Sequence, residues 1–119
     1  MNINYNDIFW GDSTIEKIEI FYDTIKLEIF NDVFCATIMV NCKNSFGITG
    51  INIREESIIE NVYLSKTDKS CLSCENFLQM NGYELENHNG ELKELRVLLI
   101  NGESFSIICE EVTFEKIGD

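Results

Sequence analysis

Apolar residues recur at every second position along most of this chain. Ile18, Ile20 and Tyr22 do so, as do Ile25, Leu27 and Ile29. The same holds for Phe34, Ala36, Ile38, Val40 and Cys42, and for Leu95, Val97 and Leu99 ahead of Phe105, Ile107 and Cys109. A period of two is the side-chain alternation of a strand, so each run must bury one face of a sheet. The constraint is strong, because a slip of one residue would turn every apolar side chain to water.

The short gaps between runs read as hairpin turns. Taking Asp23-Thr24 as a two-residue turn pairs Tyr22 with Ile25, Ile20 with Leu27 and Ile18 with Ile29. Glu19 then stands opposite Glu28, with Lys17 and Lys26 nearby to offset the repulsion. Residues 33–43 form a third strand, apolar on both sides and therefore central. Residues 46–54 form a fourth, whose phase slips at Gly50 as at a β-bulge. Residues 58–64 form a fifth. The closing hairpin turns at Asn101-Gly102. A three-residue loop with Gly102 in the left-handed region pairs apolar with apolar there, whereas a strict two-residue turn does not. Residues 110–117 continue as strand. Val112 and Phe114 have the opposite parity to Cys109, which implies a further bulge or burial on both faces.

Only one stretch changes period. Cys71, Cys74, Phe77 and Leu78 recur at helical spacing, with Asp68 or Ser70 as cap and Asn81-Gly82 as the end. The expected fold is therefore mainly β, α+β at the margin. It is an antiparallel two-sheet sandwich or an open, curled barrel of about seven strands, with one helix near residues 70–81. At 119 residues one domain is expected, spanning residues 1–119.

Charge narrows the partners. Lys and Arg total 9 against 21 Asp and Glu, a net charge of −12. Phosphate contacts need clustered cations, so nucleic acid is excluded as a partner class, and so is an anionic membrane surface. The N-terminus carries neither the basic region nor the apolar run of a signal peptide. Five cysteines, an odd number, then read as reduced thiols in a cytoplasmic protein. The absence of proline and the abundance of Ile and Asn reflect an AT-rich bacterial genome and carry no functional information.

The chemistry-bearing motifs are few. Cys71-Leu72-Ser73-Cys74 has the spacing of a redox pair or of half a zinc site. No βαβ pattern surrounds it and no second ligand pair follows, with only Cys109 and His88 left over. Cys71 and Cys74 are expected on the buried face of the helix. Cys35 and Cys42 fall on opposite faces of one strand and cannot pair with each other. His88, the only histidine, lies in a polar turn-like stretch without a partner for acid–base work. No nucleophile elbow, metalloprotease, phosphate-loop or dinucleotide fingerprint occurs. The expectation is no enzyme and no cofactor. The acidic residues, concentrated in the second half, read as a solvated surface or as a patch that steers a basic protein.

Phe9-Trp10-Gly11-Asp12-Ser13-Thr14-Ile15 stands directly before the first strand, with Asp12 or Ser13 placed to cap a turn and Phe9 and Trp10 to anchor it. An aromatic residue, Asp-Ser and then Ile-x-x-Ile leading into a hairpin resembles the start of small bacterial β-rich immunity-type proteins of polymorphic toxin systems. Phe46-Gly47-Ile48 and the closing Gly102…Ile107-Ile108-Cys109 hairpin are similar to them as well. Gly11 stands where that family tends to have His. The resemblance implies a cytoplasmic, non-enzymatic binding protein that neutralises a toxin domain.

The first reading is thus a binding protein that engages a basic partner through an acidic surface, with Asp12, Glu94, Glu110 and Glu111 as contact candidates. The alternatives are an assembly subunit pairing through a sheet edge, or a thiol redox or metal protein using Cys71 and Cys74. Oligomeric state is not legible.

Overall fold

A computed structural model of the chain describes residues 2–45, 47–50, 57–67 and 91–117. A single 3-10 turn, Tyr5–Asp7, precedes eight strands: β1 (Thr14–Ile20), β2 (Thr24–Asn31), β3 (Ala36–Lys43), β4 (Gly47–Gly50), β5 (Ile59–Thr67), β6 (Leu92–Leu99), β7 (Ser104–Cys109) and β8 (Glu111–Ile117). They form two four-stranded antiparallel sheets, in the orders β1-β2-β3-β8 and β4-β7-β6-β5, which do not close into a barrel. The sandwich form of the expected mainly β fold is the one observed. The helix expected near residues 70–81, with Cys71 and Cys74, lies outside the described residues.

Alternation sets the core. Ile25, Leu27 and Ile29 of β2 and Ile38, Val40 and Cys42 of β3 face Leu95, Val97 and Leu99 of β6 and Phe105, Ile107 and Cys109 of β7. Each fully buried aliphatic side chain of this kind contributes about 1.5–3 kcal/mol by leaving water. Leu92 and Ile108 are fully buried too, but outside that cluster and on the parity that faces away from it.

The strand count exceeds expectation because of Glu110. The closing segment was expected to run on as one strand. Instead β7 ends at Cys109 in one sheet, and β8 begins at Glu111 in the other. The crossing at Glu110 reverses the parity, so Cys109, Val112 and Phe114 all reach the same core.

The first hairpin differs from its expected register. Phe21 donates its N–H to the Thr24 carbonyl at 2.8 Å, so Tyr22-Asp23 is the turn. Ile20 pairs with Ile25 and Ile18 with Leu27, and a bulge between Ile15 and Lys17 lets Ile15 meet Ile29. Two effects favour this register. Lys17 now faces Glu28 and Glu19 faces Lys26, so the like-charge pair becomes two opposite-charge pairs. The bulge also places Ile15 and Ile18, three residues apart, on one inner face. Tyr22, expected inside, is 95% exposed.

The third strand starts later than expected. Cys35 sits in a turn with φ 50° and is exposed, and β3 begins at Ala36. β3 is central, between β2 and β8, but only one of its faces is fully buried. β4 is described as far as Gly50, so the slip expected there lies at the limit of the described residues. β5 runs three residues past its expected end at Leu64, to Thr67. The closing hairpin has the expected three-residue loop. Leu99 donates to the Glu103 carbonyl at 2.8 Å, Gly102 has φ 90°, and Val97 and Leu95 pair with Phe105 and Ile107.

Candidate partner-binding corner

The N-terminal segment holds Asp12 by backbone, not by a cap. The Asp12 N–H donates to the Ile59 carbonyl at 3.0 Å, and its φ is 63°. Ser13 donates its N–H to the Trp10 carbonyl at 3.1 Å, closing the turn. Trp10 anchors the segment: it is 3% exposed and its ring lies tilted, 5.7 Å from that of Phe114, which in turn lies 5.7 Å from Tyr5. Phe9, the other expected anchor, is 65% exposed, with its ring beside Gly11. The Asp12 side chain is exposed at this end of β1.

Glu110 and Glu111 lie at the far end of that sheet. Glu110 donates its N–H to the Lys43 carbonyl at 3.2 Å and accepts from Asn44 Nδ2 at 3.0 Å. Glu111 is the register partner of Lys43, and Lys43 in turn pairs with Thr24 of β2. The Ser45 N–H donates to the Asp23 carbonyl at 2.8 Å, which ties the β1–β2 turn to the same corner. Three exposed acidic residues, Asp23, Glu110 and Glu111, therefore gather around one exposed lysine, Lys43.

The turn also brings apolar surface there. Ile20 is 64% exposed, and Phe21 lies beneath Lys26, whose Nζ is 5.5 Å from the ring centroid. With Tyr22 they form an exposed aliphatic–aromatic tip at the β1 edge of this end of the sheet, with β2 and β3 between it and Glu111 of β8. Sequence reasoning placed Ile20 and Tyr22 inside and missed this tip. The charge pairing of Lys17 and Glu19 was the signal that could have found it, since it fixes where the turn falls.

Glu94 is elsewhere. It stands on the outer parity of β6, between Ser65 of β5 and Ile108 of β7, and is half-buried. The structure thus brings together Glu110 and Glu111, places Glu94 on the other sheet, and sets Asp12 at the opposite end of β1. Among the described residues, no group of three or more His, Cys, Asp and Glu side chains converges as metal ligands. An open cavity of about 260 Å³ between the N-terminal segment, β5 and β8 is lined by Asn2, Ile3, Tyr5, Leu64, Val112, Thr113 and Phe114. Its lining is apolar apart from Asn2, Thr113 and the hydroxyl of Tyr5, which donates to the Val62 carbonyl. No helix of the described residues is long and apolar enough to cross a membrane. Compared with known proteins, the chain matches no family model and no curated protein.

Proposed function

We propose that this is a non-enzymatic cytoplasmic binding protein of the immunity type, which occludes a basic protein, in the first place a toxin domain, with the corner formed by the β1–β2 tip and Glu110-Glu111. The observation that carries the reading is the exposed Ile20-Phe21-Tyr22 tip at the same end of the sheet as Asp23, Glu110 and Glu111, on a chain of net charge −12. Aromatic residues are the commonest anchors at protein interfaces, and rim charges steer the approach of an oppositely charged partner. Tyr22, with only two side-chain torsions to fix, serves as an anchor at little entropic expense. The free thiols of Cys35, Cys42 and Cys109 fit a reducing compartment.

The test is capture at low salt on the immobilised protein, with the Glu110→Lys, Glu111→Lys double variant as control. A basic protein retained by the native chain and lost from the variant supports the reading. Retention that ignores the reversal, or turnover of a small molecule by the protein alone, removes it.

A further inference from the structure

Cys42 and Cys109 belong to different sheets, on β3 and at the end of β7, and both are 0% exposed. The two strands converge beside them. The 3.2 Å bond from the Glu110 N–H to the Lys43 carbonyl holds the chains at strand-pairing distance one residue beyond each thiol. Paired strands hold Cα atoms about 4.5–5.5 Å apart, and a disulfide spans about 4.4–6.8 Å. The two thiols lie near enough to perturb each other, and Cys109 Sγ is 3.9 Å from the Lys93 carbonyl oxygen. Cys109, with burial behind it, pushes the Cys42 thiol well above the ordinary range. Cys42 in turn lowers Cys109, helped by Lys93 and the Glu111 N–H against the opposing effects of burial and of Glu110. Neither cysteine is used in the proposed binding corner.

We infer that Cys42 and Cys109 are an oxidation site at which a peroxide closes a disulfide between the two sheets. Cys109 loses its proton first, and its sulfur attacks one oxygen of hydrogen peroxide. The O–O bond breaks, Cys109 becomes a sulfenic acid, and the departing hydroxide takes up the released proton as water. The Cys42 sulfur then attacks the Cys109 sulfur. The S–O bond breaks, the S–S bond forms, and the Cys42 proton leaves with the hydroxide as a second water. Two thiols lose two electrons, and one peroxide is reduced to two waters. A peroxide is close to water in size and enters a buried corner through a small local opening. A glutathione disulfide needs a far larger one. Cys35, exposed in its turn before β3, is more accessible to the same oxidant, but Cys42 lies seven residues on and is buried in the core.

The experiment treats the native protein with hydrogen peroxide, alkylates the remaining thiols after denaturation, and maps the cysteine peptides by mass spectrometry. The expected result is a Cys42–Cys109 crosslinked peptide, the loss of two alkylatable thiols beyond Cys35, and a Tm that rises on oxidation and returns with a dithiol reductant. In Cys42→Ala the reaction stops at a sulfenic acid on Cys109, trapped by dimedone. If that variant does not fold, the native peptide map decides alone. Recovery of both Cys42 and Cys109 as alkylated thiols after Cys35 is fully oxidised would overturn the inference. So would a map in which either one is joined to another cysteine instead.

Discussion

Asn31 is fully buried at the end of β2, and its side chain has three partners. Nδ2 donates to the Phe9 carbonyl at 2.7 Å and to Ser13 Oγ at 3.0 Å, while Oδ1 accepts from the Phe34 N–H at 3.0 Å. One amide thus joins the N-terminal segment, the start of β1 and the turn into β3. Truncation removes the partner of the buried Ser13 hydroxyl and of the part-buried Phe9 carbonyl and Phe34 N–H at once. Asn31→Ala should therefore lower stability by about 1–3 kcal/mol, read as a fall in the denaturant midpoint at unchanged slope. An unchanged midpoint would mean that water replaces the amide. The residue could not be singled out from the sequence. An Asn at the end of an apolar run reads as an ordinary turn residue. Its partners at Phe9 and Ser13 are 22 and 18 positions away, so the network exists only in the folded chain.

Hairpins show which elements were legible. The closing hairpin was, because its turn chemistry and its apolar pattern agree on one register. Gly102, at φ 90° with open space around its Cα, is needed for backbone geometry alone. Gly102→Ala should cost about 1–2 kcal/mol through the left-handed region, while Asn101→Ala, outside it, should cost less; paired thermal melts distinguish the two. The first hairpin was misread by two residues in register. Such a shift keeps Ile18, Ile20, Ile25, Leu27 and Ile29 on one face and moves only Tyr22, into the turn, so alternation cannot detect it. Cross-strand charge decides instead, with Lys17 against Glu28 and Glu19 against Lys26. A charge exchange between Glu19 and Lys26 tests this. Either single reversal should destabilise the hairpin and the double exchange should recover it, with a coupling of about 0.2–1 kcal/mol in a double-mutant cycle. A coupling of zero would leave the bulge after Ile15 as the sole determinant of register.

At the scale of the whole molecule, alternation was enough for a mainly β antiparallel fold, and strand order then decides for two open sheets over a curled barrel. Long-range charge arrangement was not. Of the acidic residues expected at the contact surface, Glu110 and Glu111 share a corner, whereas Asp12 and Glu94 do not join them. Strand order decides that, and sequence parity reports faces without reporting neighbours. The tip and the hairpin register have one cause: with the turn at Tyr22-Asp23, Tyr22 leaves the inner face and stands in water. If Tyr22 anchors the partner, Tyr22→Ala should weaken binding by about 2 kcal/mol, roughly 30-fold, mainly through faster dissociation. Folding should be unaffected, because the side chain is 95% exposed.

The carboxylates should act on the other rate. Their field extends about one Debye length, roughly 8 Å at physiological salt, so it governs encounter. The most direct measurement is the association rate constant with the captured basic protein across ionic strength, for the native chain and for the Glu110→Lys, Glu111→Lys variant. The account predicts a native rate that falls steeply with salt, a slower rate for the variant at low salt, and convergence of the two at high salt. A native association rate that ignores salt, or equals that of the charge-reversed variant at every ionic strength, would contradict it.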